Sequence, residues 1–198
     1  MKLSWCSLQF LINLLVAEAD AVGLSVNAKK TVTMIFNPYN KRKCIRTNFP
    51  QFSLHGNYLT SVTSFKYLGH IVDDALHDDS DINRELKCLF TRVNLLNRRF
   101  WRCSIGVKLQ LFKTFCMCFY DIGLWSSSRV GSTLNKIAAA YVRCIKIFFG
   151  YHKYASVTCM LLDLGLPSFK TILFNAGVIF NSRLSATINS LVRYAARV

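Results

Sequence analysis

The sequence predicts an α+β chain that is mainly α, with a small β segment at the front and a helical bundle behind it. Three observations predict this. The β-branched and aromatic runs bounded by turn residues, Thr31 to Phe36 and Phe65 to Val72, fall in the first 75 residues. Beyond them, apolar residues recur at helical spacing. A chain of 198 residues that is 52% hydrophobic can bury a core, which excludes a disordered basic tail.

Residues 3–22 read as an amphipathic helix with Leu3, Cys6, Phe10, Leu14 and Ala17 on one face, stopped by Gly23. Ala17-Glu18-Ala19 resembles a signal-peptidase site, but Gln9 and Asn13 interrupt the apolar run, so the helix is preferred and a leader remains the alternative. A turn at Asn27-Ala28-Lys29-Lys30 leads into Thr31 to Phe36, which reads as a buried strand. Residues 38–50 read as a basic loop. Gly56-Asn57 marks a short hairpin, and Phe65 to Val72 reads as one more strand, broken by Gly69.

An acidic loop over 73–81 comes next, with Ser80 or Asp81 expected to cap the following helix. Helices are predicted over 82–101, 106–125, 133–149 and 155–163, and one or two over 168–196. Gly150 ends the third, while Gly165 and Pro167 end the fourth. The switch from strands to helices divides the chain into 1–75 and 76–198. The most apolar stretch, 160–180, contains Asp163, Pro167, Lys170 and Asn175, so no transmembrane span is expected.

Lysine and arginine outnumber aspartate and glutamate 25 to 10, for a net charge of +15. Such an excess points to phosphate backbones or anionic membrane surfaces. The eight cysteines form no CxxC pair; Cys116 and Cys118 lie two apart in an apolar run, and His152 stands seven residues before Cys159. A zinc site is not expected, and reduced thiols in an intracellular protein fit the helical patterns that hold most of them.

Two segments carry a resemblance. Gly23-Leu24-Ser25-Val26-Asn27-Ala28-Lys29-Lys30-Thr31 matches a G-L-x-x-N-x-x-K-T sequence, and Phe65-Lys66-Tyr67-Leu68-Gly69 matches F-x-Y-L-G. In this order, with a helix ahead of them, they resemble the last part of the palm in reverse transcriptases of non-LTR (LINE or jockey-like) retrotransposons. The helices of 82–101 and 109–125 and the Leu164-Gly165-Leu166-Pro167 turn resemble the thumb and the helical region after it. The resemblance implies a small remnant of a polymerase palm over 1–75 and a helical thumb over 76–198. That family transfers nucleotides with magnesium ions held by palm aspartates, one pair in a [FY]-A-D-D sequence just ahead of the first helix. The matched region begins after that point, so the 198 residues are expected to contact nucleic acid without polymerising. Asp73-Asp74 and Asp78-Asp79 are read as a solvated loop with a helix cap, and no metal or other cofactor is expected on this chain.

The resemblance also assigns roles. Lys30 occupies a position like the lysine that neutralises the leaving pyrophosphate, with a surface turn as the plain alternative. Lys66, Tyr67, Leu68 and Gly69 resemble the primer grip, where glycine lets backbone approach a sugar-phosphate, or else an ordinary strand between palm and thumb. The 82–102 helix carries Arg84, Lys87, Arg92, Arg98, Arg99 and Arg102. Of these Arg98, Arg99 and Arg102, beside Trp101, are expected at an RNA–DNA template–primer. The plain alternative is a solvated helix face. Lys41, Arg42, Lys43 and Arg46 form a second basic cluster, while Tyr141, Phe148, Phe149 and Tyr151 read as core. A separately supplied half bearing fingers and catalytic palm is a further expected partner. Without it, uncovered strand edges and apolar surface predict poor solubility. The competing readings are a stand-alone basic helical module that binds nucleic acid and a membrane-surface protein.

Overall fold

The computed structural model describes residues 5–36, 49–120, 122–125, 132–190 and 192. The chain is α+β and mainly helical. It divides into two compact units, Met1–His77 and Asp78–Val198.

The first unit opens with α1 (Trp5–Ala21). Its end is a Schellman motif: Gly23 adopts φ 76°, Gly23 N–H donates to Asp20 and Leu24 N–H to the carbonyl of Ala19. The face that α1 turns inward differs from the expected one. Ile12 and Val16 pack against the small core of Phe52, Leu54 and Leu59, whereas Cys6, Phe10, Leu14 and Ala17 are exposed. The reason is Gln9. Its side-chain amide donates to the Ser53 carbonyl (2.9 Å) and accepts from Ser53 N–H (3.0 Å), which fixes the helix rotation by satisfying a strand edge. Hydrophobicity alone marked the wrong face because α1 is apolar nearly all round.

Strands are short. β1 (Val32–Thr33) runs parallel to β4 (Thr60–Ser61), so the strand expected over Thr31 to Phe36 shrinks to two half-buried residues. β2 (Ser53–Leu54) and β3 (Asn57–Tyr58) form the expected hairpin, one residue out of place. Its turn is His55-Gly56, with φ 49° and 76°, the two positive values that a primed two-residue turn demands. β5 (Ser64–Tyr67) and β6 (His70–Asp73) pair antiparallel with Tyr67 opposite His70. The single strand expected over Phe65 to Val72 is therefore a hairpin. Gly69 does not break a strand but makes a turn with Leu68, at φ 93° and 49°.

The second unit is helical: α2 (Asp79–Phe100), α3 (Ile105–Phe115), α4 (Ser132–Phe149), α5 (Val157–Leu164) and α6 (Phe169–Ala186). Leu89 and Val93 of α2, Phe112 of α3, Ile137, Tyr141 and Ile145 of α4, and Met160 of α5 meet in one buried cluster. α2 starts ahead of its expected position, with Asp78 at the cap and Asp79 and Asp81 in the first turn, where carboxylates complement the helix dipole. α3 stops at Phe115, ten residues short of expectation. There the Arg92 guanidinium takes the Cys118 carbonyl (3.0 Å), and the chain leaves the helix to bury Phe119 and Trp125. Ser156 and Ser168 cap α5 and α6 through the amides of Cys159 and Thr171, and Gly165 closes α5 at φ 59°. The expectation of helix over 187–196 lies partly outside the described residues; α6 itself ends at Ala186.

Candidate nucleic-acid interface

The arginines of α2 separate into two groups. Asp81 and Glu85 are buried, and two arginines are committed to them. Arg84 donates to Asp81 (2.7 Å) and Glu85 (3.1 Å); Arg92 pairs with Glu85. Trp125 Nε1 adds a bond to the second Asp81 oxygen (3.2 Å). The hydrogen bond from Arg84 to Asp81 raises the Arg84 pKa further. Burial works against the Arg92 charge, but Glu85 outweighs it and the pKa is again raised. Arg84 is committed to carboxylates of its own helix, and Arg92 also reaches the Cys118 carbonyl, a distinction that a count of charges along the helix conceals.

What is left is exposed and aligned. Lys87, Thr91, Asn94 and Arg98 lie at i, i+4, i+7 and i+11, all exposed, on one face of α2 over about 16 Å. Arg102 comes one turn on. Arg143 of α4 lies over the Phe90 ring (6.0 Å), which sets another exposed cation beside the stripe. Arg99 is also exposed but points about a quarter-turn away. Arg98 and Arg99 also suit the carbonyl end of the helix. After Glu85 the sequence holds sixteen of the 25 basic residues and only Asp121 and Asp163 of the ten acids. The positive charge therefore belongs mostly to the helical unit. Lys87 was visible on the helix but was not separable as a site residue until Arg84 and Arg92 were accounted for.

In the first unit, Lys30 and Tyr67 come together. With Val32, Met34, Phe36 and Phe65 they line an open apolar cleft of about 430 Å³. Lys30 N–H is held by the Asn27 side chain (3.2 Å) and carbonyl (3.1 Å), and the Thr31 hydroxyl donates to that carbonyl (2.9 Å). The N-x-x-K-T spacing is thus a turn capped by the Asn27 side chain, as at a helix start, with a threonine brace. Lys66 is exposed on β5, and Leu68 stands 74% exposed at the tip of the β5–β6 hairpin beside Gly69. A bulky residue held there at φ 49° is strained. The Lys41, Arg42, Lys43 and Arg46 cluster lies outside the described residues.

The acids resolve into local structure. Asp73 Oδ1 accepts from His77 N–H (2.7 Å), and Asp81 belongs to the buried network. Among the described residues no three His, Cys, Asp or Glu side chains converge on a point that would hold a metal ion. Tyr141 and Phe148 are buried, and Phe149 and Tyr151 pack against the same core. Burial pushes the Cys116 and Cys144 thiols up to about 12 and raises Tyr141 as well. The described cysteines are free thiols. Among the described residues no single helix is long and apolar enough to cross a membrane. Comparison with family models, with curated proteins and with solved structures gives no match.

Proposed function

We propose that these residues are the closing part of the palm and the thumb of a reverse transcriptase of the non-LTR retrotransposon kind, and that they hold an RNA–DNA template–primer. One observation carries the binding role: once Arg84 and Arg92 are committed to buried carboxylates, Lys87 and Arg98 still form an exposed line on α2, with Arg102 exposed in the turn just past its end. A line of cations spaced with polar residues suits successive backbone phosphates. The first unit supports the family reading through its order of elements: a helix closed at Gly23, an Asn27-capped turn presenting Lys30, then an exposed hairpin tip at Tyr67-Leu68-Gly69. In this reading nucleotide transfer belongs to the aspartates and magnesium ions of the intact enzyme, and the fingers and catalytic palm are the partner of these residues.

The membrane-surface reading has one observation in its favour, the exposed apolar residues of α1, among them Phe10 and Leu15. The packing of α2 argues against it, since Leu89, Val93 and Leu96, the apolar face that an interfacial helix would insert, are buried in the core of the helical unit. The test is titration of the folded chain with a labelled RNA–DNA primer–template at low salt. Saturable binding is expected. No binding, from a sample whose helical circular dichroism is intact, would overturn the nucleic-acid role.

A further inference from the structure

The end of the helical unit where α2 stops carries exposed aromatic rings that phosphate binding does not use. Trp101, at the α2 C-terminus, is 59% exposed, and the Arg102 guanidinium lies 4.7 Å from the centre of its ring. A second pair is similar: Tyr154, in the loop after α4, is 78% exposed with the Lys153 ammonium 4.6 Å from its ring, and the His152 imidazole lies 5.3 Å away, tilted by 47°, leaving most of the ring in solvent. The two lie at one end of the unit. Lys108, in the first turn of α3, donates to the carbonyl of Phe148 (3.5 Å) in the last turn of α4, joining the corner after α2 to the corner after α4.

Large aromatic rings are normally buried, and this unit buries Trp125, Tyr141, Phe112 and Phe148 fully. A ring left in solvent with a cation on one face keeps a flat apolar face for a second planar group. Bases stack on such a face irrespective of sequence, and a neighbouring cation meets the adjoining phosphate. Blunt duplex offers few unstacked bases; an unpaired stretch offers many. Trp101 adjoins the end of the α2 stripe, and Lys146 holds the Tyr154 loop against the last turn of α4 through the Lys153 and Ala155 carbonyls, so a strand leaving the duplex would meet Trp101 first.

We propose that this end of the helical unit binds unpaired nucleotides, stacking one base on Trp101 and another on Tyr154, with Arg102 and Lys153 at the adjoining phosphates. The inference rests on the nucleic-acid reading above and names the strand state that this end selects. The test compares the affinity of the whole chain for a blunt RNA–DNA duplex and for the same duplex with a short unpaired overhang, in parallel with phosphatidylcholine–phosphatidylserine vesicles. The overhang should bind more tightly. Trp101→Ala and Tyr154→Ala should each weaken overhang binding roughly five- to a hundred-fold, moving the overhang-to-blunt ratio toward one, while Trp101→Phe restores part of the loss. Both positions are exposed, and unchanged thermal melting would show that the variants fold. Equal affinity for the two duplexes, or a ratio that neither alanine changes, would overturn the stacking role and leave the α2 stripe standing. Binding to vesicles with none to either duplex would overturn both.

Discussion

The two units of this chain solve the burial problem unequally. Among the described residues, the helical unit gathers nineteen buried apolar side chains into one cluster, whereas the front unit gathers three. The front unit's helix buries no residue fully, and its strands are two to four residues long. Its order comes from backbone devices instead: a Schellman turn, an Asn27-capped turn and two primed hairpin turns. The helical unit is stabilised by burial, and even its buried carboxylates are paired there. The lesson is that turn chemistry can specify a local path without supplying much stability.

The largest effect that would break this comparison lies in the buried network. Arg92→Ala leaves Glu85 in the core with Arg84 alone and should destabilise the helical unit by about 3–5 kcal/mol in denaturant titration. A loss below about 1 kcal/mol would mean that Glu85 is hydrated in the folded state. Matched truncations sharpen the contrast. Leu89→Ala should cost about 2–5 kcal/mol, while Leu54→Ala, with few neighbours to lose, should cost less than about 2 kcal/mol. Limited proteolysis should also cut the front unit first. Equal losses for the two leucines, or a monodisperse preparation that melts in one cooperative step, would contradict the contrast.

Alkali should act on the helical unit. Cys116 and Cys144 are neutral in the fold with pKa values near 12, against 9.0 for an unburied thiol. Their folded values are raised, so their stabilisation is complete below pH 9 and is lost as pH rises from 9 toward 12. The loss is about 1.4 kcal/mol per pH unit per thiol, and replacing both with alanine should flatten it between pH 9 and 10, above which buried Tyr141, ordinarily at 10.0, still contributes. The smallest effect belongs to the front unit: Leu68→Gly relieves a positive φ and should stabilise the β5–β6 hairpin by about 1 kcal/mol, read as slower amide exchange across Tyr67 and His70.

The sequence made the helices and their punctuation legible. Gly150 and Gly165 mark helix ends because capping is local chemistry, whereas the Ser156 and Ser168 caps are seen only in the structure. It was less clear where long-range contacts intervene. Gln9 reaches 44 residues to Ser53 and turns α1, and Arg92 takes a carbonyl 26 residues away and ends α3 early. The candidate site suffered in the same way. The basic run on α2 was plain, but only the buried Asp81 and Glu85 divide it into structural and exposed members. Trp101 stood out beside the arginines, whereas Tyr154 had no sequence signal beyond an aromatic in a basic loop.

If the exposed stripe, and not the arginines of the network, grips phosphate, the salt dependence of binding will show it. The measurement uses an RNA–DNA primer–template, with the unaltered chain and with the Lys87→Ala, Arg98→Ala, Arg102→Ala triple variant. Each phosphate contact contributes roughly 0.9 to the slope of log affinity against log salt on B-form duplex. The slope should be shallower by about two to three in the triple variant. An unchanged slope, with the variant folded and still binding, would contradict a phosphate grip by the stripe.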